Sequence, residues 1–173
     1  PLRDLLMRLS LTDLFRAKWT NAIHDEWIRN VLENRHDLTP EQLNRTRNLM
    51  NSHVRDCLVE NYEHLIDIIH LPDPNDRHVV AAAMKSGANY IITYNLKDFP
   101  AAELDKNEII AQHPDEFLFN QIDLNVAKVC DAVRSHRASL LKPPFTQDEL
   151  LECYLKQGLI SSVGQLKPWK HAF

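Results

Sequence analysis

Long apolar runs are missing from this chain. Its longest apolar stretches, such as Tyr90-Ile91-Ile92-Thr93-Tyr94, fall far short of the roughly 20 residues a spanning helix needs, so no membrane role is expected. No signal-peptide pattern is visible. Cysteine is scarce: Cys57, Cys130 and Cys153 are odd in number, widely spaced and without a CxxC pair. That usage argues against a disulfide frame and for reduced, buried thiols in a cytoplasmic protein. Internal repeats and low-complexity segments are absent too. So is an excess of positive charge: 20 Lys and Arg stand against 24 Asp and Glu, a net charge of −4. A protein that held nucleic acid through phosphates alone would be basic. Any nucleic-acid role therefore requires local basic patches, or metal ions that reverse the sign of an acidic pocket.

What is present fits one well-buried domain with a small appendage, since 173 residues suffice for a sizeable core. Leu2, Leu5, Leu6 and Leu9 share one face of an opening helix. Alternation over Leu14–Thr20 predicts a short strand. Thr20 or Asn21 caps a helix to about Glu33, with Ile23, Trp27, Ile28 and Val31 inward. Thr39-Pro40-Glu41-Gln42 carries the signature of a capping box with proline at the first helical position, and that helix is expected to reach about Val59. Leu65–Ile69 reads as a strand. Val79–Lys85 reads as a helix of small residues, closed by Gly87 as a left-handed cap. Tyr90–Thr93 reads as a buried strand, Asn95–Pro100 as a polar turn and Glu108–Ala111 as a further strand. Helix–strand alternation of this kind predicts a parallel α/β sheet. From about Gln121 the pattern is helical throughout. A second capping box at Thr146–Glu149 opens a helix to about Gln157, Gly158 ends it, and a short helix follows from Ile160 to Leu166. The expected division is an α/β domain over 1–120 and a helical extension over 121–173.

Ligands of open parallel sheets bind at the carboxyl ends of the strands. Asp73 and Asp76 open the alanine-rich helix, and Asp98 follows the strand ending at Thr93, so both acidic segments are expected at that edge. Carboxylate oxygens suit hard divalent cations, and Mg²⁺ takes one or two carboxylates plus water and substrate phosphate. Such ions can activate water against a phosphodiester. Singly, each residue has a plainer reading: Asp73 and Asp76 as helix caps, Asp98 as a turn residue. Their combination is what points to a site.

That combination reads Asp73-Pro74-Asn75-Asp76-Arg77-His78-Val79-Val80-Ala81-Ala82-Ala83, then Gly87-Ala88-Asn89, then Tyr90-Ile91-Ile92-Thr93-Tyr94-Asn95-Leu96-Lys97-Asp98-Phe99-Pro100. It resembles the PIN-domain family of VapC-like toxin ribonucleases. Upstream, Trp19-Thr20-Asn21-Ala22-Ile23-His24-Asp25-Glu26-Trp27 looks like the family's helix with a glutamate in its first turns. The resemblance covers roughly the first 120 residues. It implies a PIN-like parallel sheet flanked by helices, with Glu26, Asp76 and Asp98 as catalytic, metal-binding carboxylates around Mg²⁺ or Mn²⁺. Asp73, Thr93 and Asn95 would support the same pocket. It further implies a metal-dependent endoribonuclease, the toxin of a type II toxin–antitoxin pair, with an RNA substrate, a small antitoxin partner and a homodimer. PIN domains open with a strand bearing a first catalytic Asp. Here the numbering starts at Pro1 in what looks like the helix after that strand, so an N-terminal segment carrying that Asp is expected in the full-length protein, and activity depends on it.

Lys97, Arg77, Arg45 and Arg47 are the candidate RNA contacts, with Arg134, His136, Arg137 and Lys142 gathered in the extension. Each has an ordinary solvated helix face as its alternative. Trp19 and Trp27 lie in apolar patterns and are expected in the core. Two rival functions remain. The pairs His24-Asp25 and His36-Asp37 are similar to those of HD-type metal phosphohydrolases, although both pairs are expected at the surface. A PIN scaffold without chemistry, serving protein binding, would hold no metal.

Overall fold

The computed structural model describes residues 1–141 and 143–173. In chain order the helices and strands are α1 (Leu2–Ser10), α2 (Asn21–Asn34), α3 (Pro40–His53), α4 (Arg77–Ser86), β1 (Tyr90–Ile92), α5 (Ala101–Leu104), β2 (Ile110–Gln112), α6 (Pro114–Ser139), α7 (Gln147–Lys156) and α8 (Ile160–Leu166). They form two compact units, one of 17–112 and one that joins 1–16 to 113–173. The boundary thus differs from the one at 120 expected from the pattern, because α1 belongs with the C-terminal helices. Among the described residues no helix is long and apolar enough to cross a membrane.

The 17–112 unit is mixed α/β. β1 and β2 pair in parallel, with Tyr90 opposite Ile110 and Ile92 opposite Gln112. A parallel pair needs a crossover connection, and the segment through α5 supplies it. Thr93 donates its N–H to Gln112 and so prolongs the ladder by one bond. The sheet has two strands among the described residues. β1 is buried only at Ile91, while Tyr90 is exposed, which corrects the expectation of a wholly buried strand. Ala81, Ala82 and Ala83 are buried on α4, where small side chains let the helix approach β1 closely. Gly87 ends α4 in the left-handed region at φ 64°, as its position after the apolar period requires.

Three local expectations are corrected. Leu14–Thr20 is not a strand: a single parallel bridge joins Trp19 to Leu58, and Asp13 turns the preceding chain at φ 59°. Leu65–Ile69 lies mostly in a 3₁₀ turn, Glu63–Ile68, with no strand to pair it among the described residues and with Leu65 and Ile66 packed on the cluster around α4. α3 stops at His53 rather than near Val59, since residues beyond it extend to bury Val54, Cys57 and Val59 and to bridge Trp19. Its start is as expected: the Thr39 side chain accepts from Gln42 N–H while the Gln42 side chain accepts from Thr39 N–H.

The second unit is helical. Leu2, Leu5 and Leu9 of α1 are buried with Leu118, Ile122, Val129 and Val133 of α6, Leu150 and Tyr154 of α7, and Val163 and Leu166 of α8. Each fully buried leucine contributes about 1.5–3 kcal/mol. α6 begins at Pro114, earlier than expected, and breaks at Asn125 (φ −161°, ψ 87°), whose side chain accepts from Lys128 N–H at 3.0 Å as a cap for the second half. The capping box at Thr146 opens α7 as the sequence predicts. Cys57, Cys130 and Cys153 are free thiols, and burial pushes the first two upward in pKa.

Candidate active site

The 17–112 unit holds every carboxylate singled out for chemistry. Asp73 caps the 3₁₀ turn Pro74–Asp76, its side chain accepting from Asn75 N–H at 2.8 Å. Asp76 stands at the N-cap position of α4, yet its side chain makes no cap hydrogen bond. The two acids therefore divide the readings available to them: Asp73 has a structural partner and Asp76 has none of that kind. Asp76 is half-buried. Burial, then the negative charges of Asp73, Glu26 and Asp98, push its carboxyl above the usual carboxylate range, with His78 opposing. Residues 26, 76 and 98, from three separate segments, thus share one electrostatic neighbourhood.

The turn after β1 positions Asp98. Thr93 Oγ1 accepts from Asn95 N–H at 3.0 Å, and the Asn95 amide donates to the Asp98 carboxylate. Thr93 and Asn95 therefore hold Asp98 in place. Glu26 projects from the first half of α2, opposite a face anchored by fully buried His24. Indole N–H donates from Trp27 to His24 Nδ1 at 2.9 Å, which leaves the ring proton on Nε2, facing Asn51 Oδ1 at 3.0 Å. Asn51 Oδ1 also accepts from Trp19 Nε1 at 2.7 Å. This network ties α2 to α3. His24 is thus not the surface residue that was expected. Both its ring nitrogens are engaged, so it has no lone pair for the metal an HD-type site requires, while His36 is exposed in the loop before α3.

His78 Nε2 lies 3.5 Å from Glu26 Oε2. Neither His78 nor Asn51 was singled out in the sequence. His78 had a signal, since the second residue after Asp76 lies in the same helical turn. Asn51 had none, as nothing in the pattern marks an interior position of α3.

The basic candidates differ in what occupies them. Lys97 and Arg45 are exposed. Arg77 donates to Pro74 O at 3.0 Å across the turn before α4, and Arg47 pairs with Asp25 at 2.8 Å and donates to Asn21. In the helical unit His136 is buried against Tyr154, which corrects its place among surface contacts for phosphate. Arg134 pairs with Asp131 at 2.7 Å and Arg137 donates to Phe145 O at 3.2 Å. Lys142 lies outside the described residues. Trp19 is buried as expected, while Trp27 is only half-buried.

Carboxylate oxygens are the donors a hard divalent ion prefers, and accumulated negative charge at Asp76 is the condition such an ion relieves. Among the described residues no three His, Cys, Asp or Glu side chains are grouped closely enough to enclose an ion by themselves. Mg²⁺ does not require that, since it keeps waters and takes oxygens from substrate.

Residues 114–168 match the family model described as the VapC50 C-terminal domain. The chain is also 40% identical over 82 residues to a protein of Mycobacterium tuberculosis named "Putative ribonuclease VapC50". That match covers 47% of this chain and 48% of the relative, so the chain spans about half the length of the curated protein it matches. No solved structure matches it. The family model over the C-terminal helices and the shared identity agree with the acid–alanine–glycine–Thr-x-Asn pattern in making the chain similar to VapC-like proteins.

Proposed function

We propose that the chain is part of a metal-dependent endoribonuclease, the toxin of a type II toxin–antitoxin pair, which hydrolyses RNA phosphodiesters with Mg²⁺ or Mn²⁺ held by Glu26, Asp76 and Asp98. The observation that carries this reading is Asp76: an acid at a helix start whose side chain makes no cap hydrogen bond and whose charge is opposed by carboxylates from three other positions. A divalent ion bound there supplies an activated water and charge neutralisation for phosphodiester hydrolysis. The protein's part is binding and orientation. Asn95 keeps Asp98 turned to the site, Thr93 fixes Asn95, and Asp73 sets the turn from which Asp76 projects. Exposed Lys97, in the same turn as Asp98, offers an ammonium to an RNA phosphate and offsets the acidic pocket. In this reading the protein is cytoplasmic and dimeric, and the C-terminal helices contact the antitoxin.

The test is RNA cleavage by the full-length protein with and without Mn²⁺, beside Asp76→Asn. Cleavage that needs the metal and falls about 100-fold or more in the variant is expected, the scale on which one preorganised group at a reacting centre acts. Equal cleavage by both proteins removes the assignment.

A further inference from the structure

Glu26 reaches the acidic neighbourhood on a flexible side chain from α2, and like charges there repel one another. Among the described residues, the group that faces its carboxylate within 4 Å and can attract it is the imidazole of His78, with Nε2 at 3.5 Å from Oε2. His78 is largely enclosed, with 17% of its side chain exposed against 42% for Glu26. Its Nδ1 is buried and has no hydrogen-bond partner. Buried polar atoms are nearly always satisfied, so an orphan of this kind calls for a reason. The nitrogen across the ring, Nε2, is the edge that faces a polar group, the Glu26 carboxylate. His78 also sits two residues beyond Asp76, in the first turn of α4, so one backbone turn carries a proposed ligand and the group that holds the other.

We propose that His78 is a positioning residue: its Nε2–H holds the Glu26 carboxylate beside Asp76, where a divalent cation can engage both. This rests on the nuclease reading above, and its failure is separable from the failure of that reading. Groups that orient a ligand through a hydrogen bond commonly change metal affinity 10–100-fold when removed.

The experiment compares His78→Gln with His78→Asn in the full-length protein, using Mn²⁺ alone as the probe and titration calorimetry as the readout. A glutamine amide nitrogen reaches about as far as Nε2, whereas an asparagine amide nitrogen stops where Nδ1 lies. Mn²⁺ affinity within about threefold of the parent for His78→Gln, and a loss of about tenfold for His78→Asn, are expected. In a Glu26→Gln background the two variants become equal, because His78 acts through Glu26. Equal affinities of His78→Gln and His78→Asn in the parent background overturn the positioning role, and the nuclease reading survives if Asp76→Asn still weakens binding. Should Mn²⁺ bind with the same affinity to the parent, Glu26→Gln and Asp76→Asn, both proposals fall together.

Discussion

Asn51 carries two donors on one oxygen. Trp19 Nε1 and His24 Nε2 both point to its Oδ1, and both parent side chains are buried. Asn51→Ala removes the acceptor and leaves two enclosed N–H groups without a partner. The expected cost is about 2–4 kcal/mol, read from the urea midpoint, with Asn51→Asp nearer the parent since it keeps the oxygen. Nothing in the sequence marks this residue, because its importance comes from where two other segments place their nitrogens. Asp76 is the opposite case. Its spacing before an alanine run was legible, and what needed coordinates was the contrast with Asp73, which is bonded as a cap while Asp76 is not. The raised carboxyl means that Asp76 in its charged form opposes folding, so Asp76→Asn is expected to be at least as stable as the parent at neutral pH even though it loses cleavage.

Elements whose ends are written in caps could be read directly. Thr39 with Gln42, Thr146 with Glu149 and Gly87 after α4 all act where the sequence puts them, because a cap is a bond between near neighbours. Gly87→Ala tests the last of these cleanly. A Cβ there meets nothing within 4 Å, so the only penalty is the left-handed backbone at φ 64°. A loss of about 1 kcal/mol is expected by chemical denaturation with an unchanged slope. Strands were harder. β2 was found to within two residues, but Leu14–Thr20 and Leu65–Ile69, which read as strands, make one bridge and none respectively among the described residues. A strand is defined by its neighbour as much as by its own residues, and pattern alone carries no information about the neighbour.

At the scale of whole units, stability is tied to pH through His136. Burial pushes its pKa down from 6.5 to about 4, and its Nδ1 is hydrogen-bonded to the Tyr154 hydroxyl at 2.7 Å. An unfolded chain takes up this proton as pH falls below about 6.5, whereas the folded helices resist until about 4. The stability His136 confers as a neutral ring is therefore complete above the first value and declines between the two, by about 3 kcal/mol in total. Denaturation midpoints measured at pH 7 and pH 4.5 should show that fall, and His136→Gln should flatten it. A parent whose midpoint does not move over this range would contradict the assignment. The division into units was the least legible feature, since the apolar stripe of α1 shows only that it must be covered and not that α6, α7 and α8 cover it.

That division has a bearing on how the chain is made. The mixed unit is continuous in sequence, while the helical one is assembled from segments on either side of it. During synthesis Leu5 and Leu9 leave the ribosome before the mixed unit, and their counterparts on α6 to α8 leave after it. The apolar stripe of α1 therefore stays uncovered until α6 to α8 have been made.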